Sequence, residues 1–310
     1  MNDFSKEAAH CPVRIVPPYP NTYRFKVKAE HAGTTLLRFL TDRFPFRNQQ
    51  GWEAKIGQGL VGVNGEEVAP DYTLSFRDEV FHHNPRVKEP AVPNNVRVLR
   101  QTDDYLFVYK PAPLPMHPGG RYNRNSLTAI LFEQGFDDLR IVHRLDAVTS
   151  GIVLFARNKA FATKAIQCFS ESKVEKTYYA VVAGAPEEDS VTIETSIRRK
   201  HGFVFECHPE LENGKRAVTH FEVMERRDDD TSLIKCRPKT GRTHQIRLHL
   251  EHWGFPIVDD PIYGPNGDKS SRKAQKTHIS LLNAGLVIEG LGVECVLKES
   301  EFKTQHSVII

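Results

Sequence analysis

The chain lacks the features that mark several large classes of protein. Its longest apolar runs, such as Ile152 to Ala156, fall far short of the roughly 20 residues that a membrane-spanning helix needs, so no membrane partner is expected. The start, Met-Asn-Asp-Phe-Ser-Lys-Glu, has neither the basic opening nor the apolar stretch of a secretory signal. A soluble, cytoplasmic protein is expected, with the nucleus or an organelle open for a eukaryotic source. Cysteine is scarce: Cys11, Cys168, Cys207, Cys236 and Cys295 are scattered, odd in number and never in a C-x-x-C pair. That spacing speaks against both a disulfide framework and a structural zinc site. The 14 histidines are dispersed too, and no carboxylate or cysteine completes His82-His83 or His244/His249 at a ligand spacing, so no metal is expected. Charge of one sign is also missing. The formal net charge of +3 is far from that of a protein that coats nucleic acid, although a local basic groove stays compatible with it.

What is present is enough apolar residue, 39% of 310, to bury a sizeable core in about two domains. Residues 1–22, with Pro12, Pro17, Pro18 and Pro20, read as an extended arm without a core of its own. From Tyr23 the pattern tightens. Leu36, Leu37, Leu40 and Phe44 recur at helical spacing up to Pro45, and Trp52 and Ile56 suit a second short helix stopped by Gly57 and Gly59. Leu60 to Val68 reads as two short strands about the Asn64-Gly65 turn, and a further strand pair is expected around Leu74 and Val80–Phe81. A linker is placed at 82–95, from His82-His83-Asn84-Pro85 to Pro93-Asn94-Asn95.

Beyond it, in 96–310, strands dominate. They are expected at Val96–Leu99, Tyr105–Tyr109, Ile152–Ala156, Thr177–Val182, Thr219–Val223 and Leu233–Arg237, and helices near Ser126–Phe132, at 160–172 and at Thr243–Trp253. The fold class is α+β: a mixed, largely antiparallel sheet domain behind a small N-terminal α+β domain.

The most informative stretch is Ile141-Val142-His143-Arg144-Leu145-Asp146-Ala147-Val148-Thr149-Ser150-Gly151. In physical terms it is a strand, a polar loop, a glycine and a buried strand, which holds the Asp146 carboxylate rigidly yet accessibly. Taken alone, Asp146 could equally cap a turn through Thr149 or Ser150. Three more segments stand out. Lys110-Pro111-Ala112-Pro113-Leu114-Pro115 is a proline-rich loop, and Lys176-Thr177-Tyr178-Tyr179-Ala180 is a strand whose alternation puts Tyr178 on the face of Ala180 and Val182. Gly241-Arg242-Thr243-His244-Gln245-Ile246-Arg247 opens a helix whose apolar stripe is Ile246, Leu250 and Trp253, with Arg247 off the stripe and Gly254 as its C-terminal cap.

Together these segments resemble the RluA-type RNA pseudouridine synthases. His143-Arg144-Leu145-Asp146-x-x-Thr149-Ser150-Gly151 matches the family signature, and the Lys-Pro loop, the Lys-x-Tyr-x-Ala strand, the Gly-Arg-Thr-His-Gln-Ile-Arg segment and Asp259-Asp260-Pro261-Ile262-Tyr263-Gly264 follow in the family's order. The resemblance covers about residues 96–290 and departs from the family at Leu281-Leu282-Asn283. Residues 23–81 resemble an S-four-like RNA-binding module. Its Arg38, Arg43, Arg47 and Lys55 can meet phosphates, or can equally form a solvated helix face.

The resemblance implies that Asp146 is catalytic, that Tyr178 stacks on the uracil, and that Arg247 pairs with Asp146. It implies RNA contacts from Arg144, His143, Lys110, Arg242 and Lys55. No cofactor is called for, and a monomer acting on transfer or ribosomal RNA is expected. The loop from His117 to Ser126 looks more like that of relatives acting on transfer RNA. Two other classes stay open, a catalytically silent RNA-binding protein and a different enzyme acting on a nucleobase or glycosidic bond. A catalytically silent RNA-binding protein on the same fold would be expected to lose Asp146, Tyr178 or Arg247. A zinc deaminase needs a Pro-Cys-x-x-Cys pair, which is absent, and a glycosidase needs a second positioned carboxylate.

Overall fold

The computed structural model describes residues 12–270 and 278–297, which fall into two units. One is 16–89; the other joins the residues before 16 to those from 90 onward.

In the small unit the helix Leu36–Arg43 starts at Thr35, whose hydroxyl accepts the Arg38 amide, and stops ahead of Pro45, with Phe44 held out of helical conformation. The helix Gln49–Gly57 is capped by Asn48. Asn64 and Gly65 both take positive φ, 54° and 89°, the turn that matches the twist of a two-residue hairpin, here joining Val61–Val63 to Glu66–Glu67. Leu36, Leu40, Trp52, Ile56, Val61 and Val80 form the core.

Two boundaries differ from those expected. Residues 19–22, placed in an extended arm, open the strand Tyr19–Lys26, and 82–87, placed in a linker, completes the nine-residue strand Glu79–Val87 that pairs with it. The polar run His82-His83-Asn84 hid that strand. His82 is buried between the rings of Tyr23 and Trp52, so an imidazole occupies a core position normally filled by an apolar residue. Leu74 is buried but lies outside any strand, its amide bonded to the Thr34 carbonyl. The arm also differs at Val13–Arg14, which pairs antiparallel with Val92–Pro93 and so belongs to the large unit. Residues 1–11, Cys11 among them, lie outside the described residues.

The large unit is built on an 11-stranded sheet. Its main path runs Val204–His208, Ser190–His201, Lys215–Arg226, Thr231–Pro238, Glu175–Ala183, Leu281–Ile288, Ser150–Ala156, Tyr105–Lys110, Arg97–Gln101. Val293–Val296 and Arg140–Ile141 pair off that path, with Leu281–Ile288 and Ser150–Ala156. Neighbours are antiparallel except where Ser150–Ala156 meets Leu281–Ile288 in parallel. Strands near this seam are buried on both faces, so Tyr105–Lys110 and Ser150–Ala156 read as continuous apolar runs without alternation. Phe107, Ile152 and Leu154 pack with the helix Lys159–Ser170 on one face. Leu106, Val153 and Phe155 pack with Leu127–Glu133 on the other. Further along, Ala180, Val182, Phe221 and Ile234 bury the Ile246/Leu250 stripe of Gln245–Trp253. That helix starts two residues later than expected because His244 sits in the left-handed region, at φ 58°.

Candidate active site

The loop that carries Asp146 is tied down through its own backbone. The carbonyls of Asp146, Ala147 and Val148 accept the amides of Thr149, Leu114 and Ile279. The Lys110 ammonium, fully buried, donates to the carbonyls of Pro111, Leu114 and Ala147 at 2.9–3.2 Å. Burial pulls this lysine down to about 7, against the opposing pull of Asp146. His143 brackets the other side: its Nε2 accepts the Leu154 amide at 2.9 Å and its ring stacks on Phe169. Burial holds His143 neutral, with Lys176 adding to the effect and the pKa lowered to about 3. Of the expected RNA contacts, Lys110 is fully buried, while His143 is half-buried and lines the cleft beside Asp146. Lys110 has no surface to offer an RNA, and His143 spends its acceptor nitrogen and a ring face inside the protein. Both fix the shape of the Asp146 loop.

Gly151 closes the loop against the seam. It takes φ +119°, and a Cβ there would lie 2.2 Å from the Asn283 carbonyl oxygen, so only glycine lets the two parallel strands approach at this point. Asn283, where the sequence departs from the family pattern, is itself buried and donates from Nδ2 to the Ile152 carbonyl at 2.7 Å across the same seam.

Asp146 keeps 23% of its side chain exposed. Its Oδ2 lies 3.5 Å from Arg247 Nη1 and 3.8 Å from His244 Nε2. Arg247 thus reaches Asp146 as the resemblance implied, but a second carboxylate stands closer to it. The arginine makes its close pair with Asp260, Nε to Oδ2 at 2.6 Å and Nη2 to Oδ1 at 2.8 Å, and reaches Asp146 only with its remaining nitrogen. Asp260 wins because it is prepositioned: its Oδ1 also accepts the amides of Ile262 and Tyr263. Burial opposes ionisation of Asp260, but Arg247 and the two amides outweigh it and hold the carboxyl below its usual value. The Arg247 guanidinium also lies over the Tyr263 ring, 4.9 Å from its centre.

His244 completes the setting. The Phe205 amide donates to the Tyr263 hydroxyl at 2.9 Å, and that hydroxyl stands 2.8 Å from His244 Nδ1. Burial lowers His244 to about 4 despite the pull of Asp146, so the ring is neutral. If the Tyr263 hydroxyl donates to Nδ1, the neutral ring carries its hydrogen on Nε2, the nitrogen that faces Asp146. Asp260, Tyr263 and His244 were present in the motifs read from the sequence, but they received no role there. Only the fold shows that the turn after the helix comes back beneath Arg247.

Tyr178 lines the same cleft, and its strand neighbours Ala180 and Val182 turn to the core shared with Ile246, while Tyr179 packs on the opposite side. Burial, reinforced by Asp146, pushes its hydroxyl above the usual phenol range, so it is a proton-bearing group near neutral pH. The cleft has a volume of about 350 Å³ and is walled by Arg144, Leu145, Asp146, Tyr178, Arg242 and Arg247, among others. Arg144 and Arg242 are exposed at this cleft. Lys55 belongs to the other unit, on the helix Gln49–Gly57, half-buried and lowered in pKa by burial and by Arg47.

The chain is similar to known proteins. A family profile described as RNA pseudouridylate synthase matches residues 104–252, a span that includes Asp146, Tyr178 and Arg247. "RNA pseudouridine synthase 7" of Oryza sativa subsp. japonica is 32% identical over 279 residues, covering 86% of this chain and 71% of that protein. "tRNA pseudouridine(32) synthase, mitochondrial" of Saccharomyces cerevisiae is 30% identical over 255 residues, covering 81% of this chain and 55% of the yeast protein. The solved structure "Human RNA Pseudouridylate Synthase Domain Containing 1" superposes with a TM-score of 0.57 at 29% identity, over 69% of this chain and 87% of that one. The mixed, antiparallel-dominated sheet and the sequence similarity agree: the chain belongs to the RluA-type RNA pseudouridine synthase family.

Proposed function

We propose that Asp146 is the carboxylate with which this chain converts uridine to pseudouridine in RNA, and that transfer RNA is its substrate. One observation supports the catalytic role above others: a partly exposed carboxylate, on a loop bonded at three successive carbonyls, at a cleft beside a buried Arg247–Asp260 pair. Asp260 cancels most of the charge of Arg247, and the remaining Nη1 edge and His244 Nε2 face Asp146. That arrangement orients the carboxylate while leaving its other oxygen free for a substrate.

The reaction needs no redox partner. The bond from ribose C1′ to N1 of the base breaks, the base turns in the cleft, and a bond from C1′ to C5 forms; C5 gives up a proton and N1 ends with one. Asp146 acts at the sugar or the base, and Tyr178 covers the detached uracil and holds it for rotation. A base inside a helix must leave its stack first, which costs a few kcal/mol and less in a loop, so a loop of a folded RNA is the favoured site. Arg144 and Arg242 would meet the backbone around the extruded nucleotide. The choice of transfer RNA rests on the yeast relative's name and on the loop from His117 to Ser126. A monomer acting in the cytoplasm completes the reading. The small unit, with its helix pair and Asn-Gly hairpin, would serve as an S-four-like RNA-binding module.

The test is incubation of the purified protein with unmodified transfer RNA and ribosomal RNA transcripts, followed by chemical mapping of pseudouridine. Pseudouridine at a defined loop position of a transfer RNA is the expected result. Product only in ribosomal RNA would overturn the substrate, and none in either, with binding retained, would favour a silent RNA-binding protein.

A further inference from the structure

A second cavity, of about 610 Å³, adjoins the catalytic cleft and shares Ser172, Lys176 and Pro238 with it. Lys176 stands where the two meet. Among the described residues its ammonium makes a single hydrogen bond, donated to the Thr240 carbonyl at 3.2 Å. Burial, with the nearby charges of Arg242 and Lys239 adding to it, lowers its pKa to about 8. It is still largely charged at neutral pH. Arg242 lines the catalytic cleft, and Lys239 the second cavity. Both are exposed, and among the described residues no carboxylate lies within ion-pair distance of any of the three. Lys176, mostly removed from water, feels the repulsion of both Arg242 and Lys239, and like charges gathered so cost stability unless an anion joins them; Glu175 and Glu289 also line the second cavity. No contact described above for Asp146 or Tyr178 uses this cluster.

We infer that Lys176, Lys239 and Arg242 form a single binding site for one phosphodiester group of the substrate RNA, gripping the strand where it leaves the catalytic cleft for the second cavity. The inference rests on the proposed reading of the cleft as an RNA site. A phosphate there would receive charge-assisted hydrogen bonds from three sides and would anchor the strand next to the extruded uridine. The motif reading gave Arg242 a general role toward RNA and gave Lys176 and Lys239 none.

The test uses the dependence of RNA affinity on salt. Each phosphate neutralised contributes about 0.7–0.9 to the slope of log affinity against log salt. Binding of an unmodified transfer RNA transcript is measured across a salt series for wild type, Lys176→Met, Lys239→Gln, Arg242→Gln and the triple variant. One shared phosphate means that the triple variant flattens the slope by only about 0.7–0.9 in total, most of it already lost in a single variant. A loss near three times that size would mean three separate phosphate contacts and would overturn the shared site, as would an unchanged slope. If Lys176→Met does not fold, Lys239→Gln and Arg242→Gln, both at exposed positions, carry the same comparison in pairs. Calorimetry with inorganic phosphate alone provides a further arm. Phosphate binding that the substitutions abolish without changing the RNA slope would mark a site for a free anion and overturn the inference. Because these readouts measure binding, they remain decisive even if wild type forms no pseudouridine, a result that would instead count against the reading of the cleft.

Discussion

Replacing Arg247 by Met tests which aspartate the arginine serves. Its side chain is 3% exposed and Asp260's 1%, and the two share bonds of 2.6 and 2.8 Å. Removing the guanidinium strands a buried carboxylate with only two amides to satisfy it. Loss of one partner from such a pair costs about 3–5 kcal/mol. Asp146 is 23% exposed and 3.5 Å away, so water and geometry weaken its claim, and its coupling to Arg247 should be about 1 kcal/mol or less. Two urea-denaturation double-mutant cycles separate the alternatives: Arg247→Met with Asp260→Asn, and Arg247→Met with Asp146→Asn. The expected outcome is a coupling of roughly 3 kcal/mol in the first cycle and a small one in the second. Arg247→Met should lose turnover, and Asp260→Asn should restore stability to it without restoring activity, since the Nη1 edge facing Asp146 remains absent. An equal or larger coupling to Asp146 would refute the assignment of Asp260 as the principal partner.

Gly151→Ala should destabilise the fold by roughly 3 kcal/mol or more in urea unfolding, because the new Cβ meets the Asn283 backbone and φ is +119°; a loss below about 1 kcal/mol would show that the seam can open. His249 is fully buried between the hydroxyls of Thr195 and Thr219 and is lowered by burial from 6.5 to about 4. The unfolded chain therefore binds a proton that the folded chain refuses, and stability falls as pH drops from about 6.5 to about 4. The loss is of order 3 kcal/mol at most for this group, so denaturation midpoints of His249→Gln should show a shallower acid slope than wild type. Replacing 16–89 with a short Gly/Ser linker joins Ile15 to Pro90, next to the antiparallel pair Val13–Arg14 and Val92–Pro93, and should leave a folded catalytic unit. If the removed unit grips phosphates, the salt slope of RNA binding becomes shallower; an unchanged slope argues for another role.

Much of the catalytic unit was legible in the sequence because its strands are buried on both faces. Tyr105–Lys110 and Ser150–Ala156 appear as uninterrupted apolar runs, and the stripe of Gln245–Trp253 stands out beside them. Ser190–His201 was missed, since its inward positions include Thr195, a polar residue satisfied by His249 from a distant helix. The strand Val293–Val296 likewise lies beyond the stretch that resembles the family, being a short edge addition to Leu281–Ile288; residues from 298 on lie outside the described ones. At the site, local motifs named Asp146, Tyr178 and Arg247 and brought them to one cleft. They could not reveal that Lys110 points inward, because a Lys-Pro loop looks exposed until its three carbonyl acceptors fold around the ammonium. Nor could they rank two aspartates for one arginine. That ranking depends on two amides at the turn of Ile262 and Tyr263, which exist only once the chain has folded back.

The most direct measurement is tritium release from RNA labelled at C5 of uridine, comparing wild type with Asp146→Asn. The substitution keeps the shape of the side chain and removes its charge, and a matching denaturation curve and RNA affinity would show that fold and binding survive. Wild type should release tritium in step with pseudouridine formation. Asp146→Asn should release it at least about a thousandfold more slowly, a barrier increase of about 4 kcal/mol. Release within about tenfold of wild type would contradict the claim that Asp146 carries the chemistry.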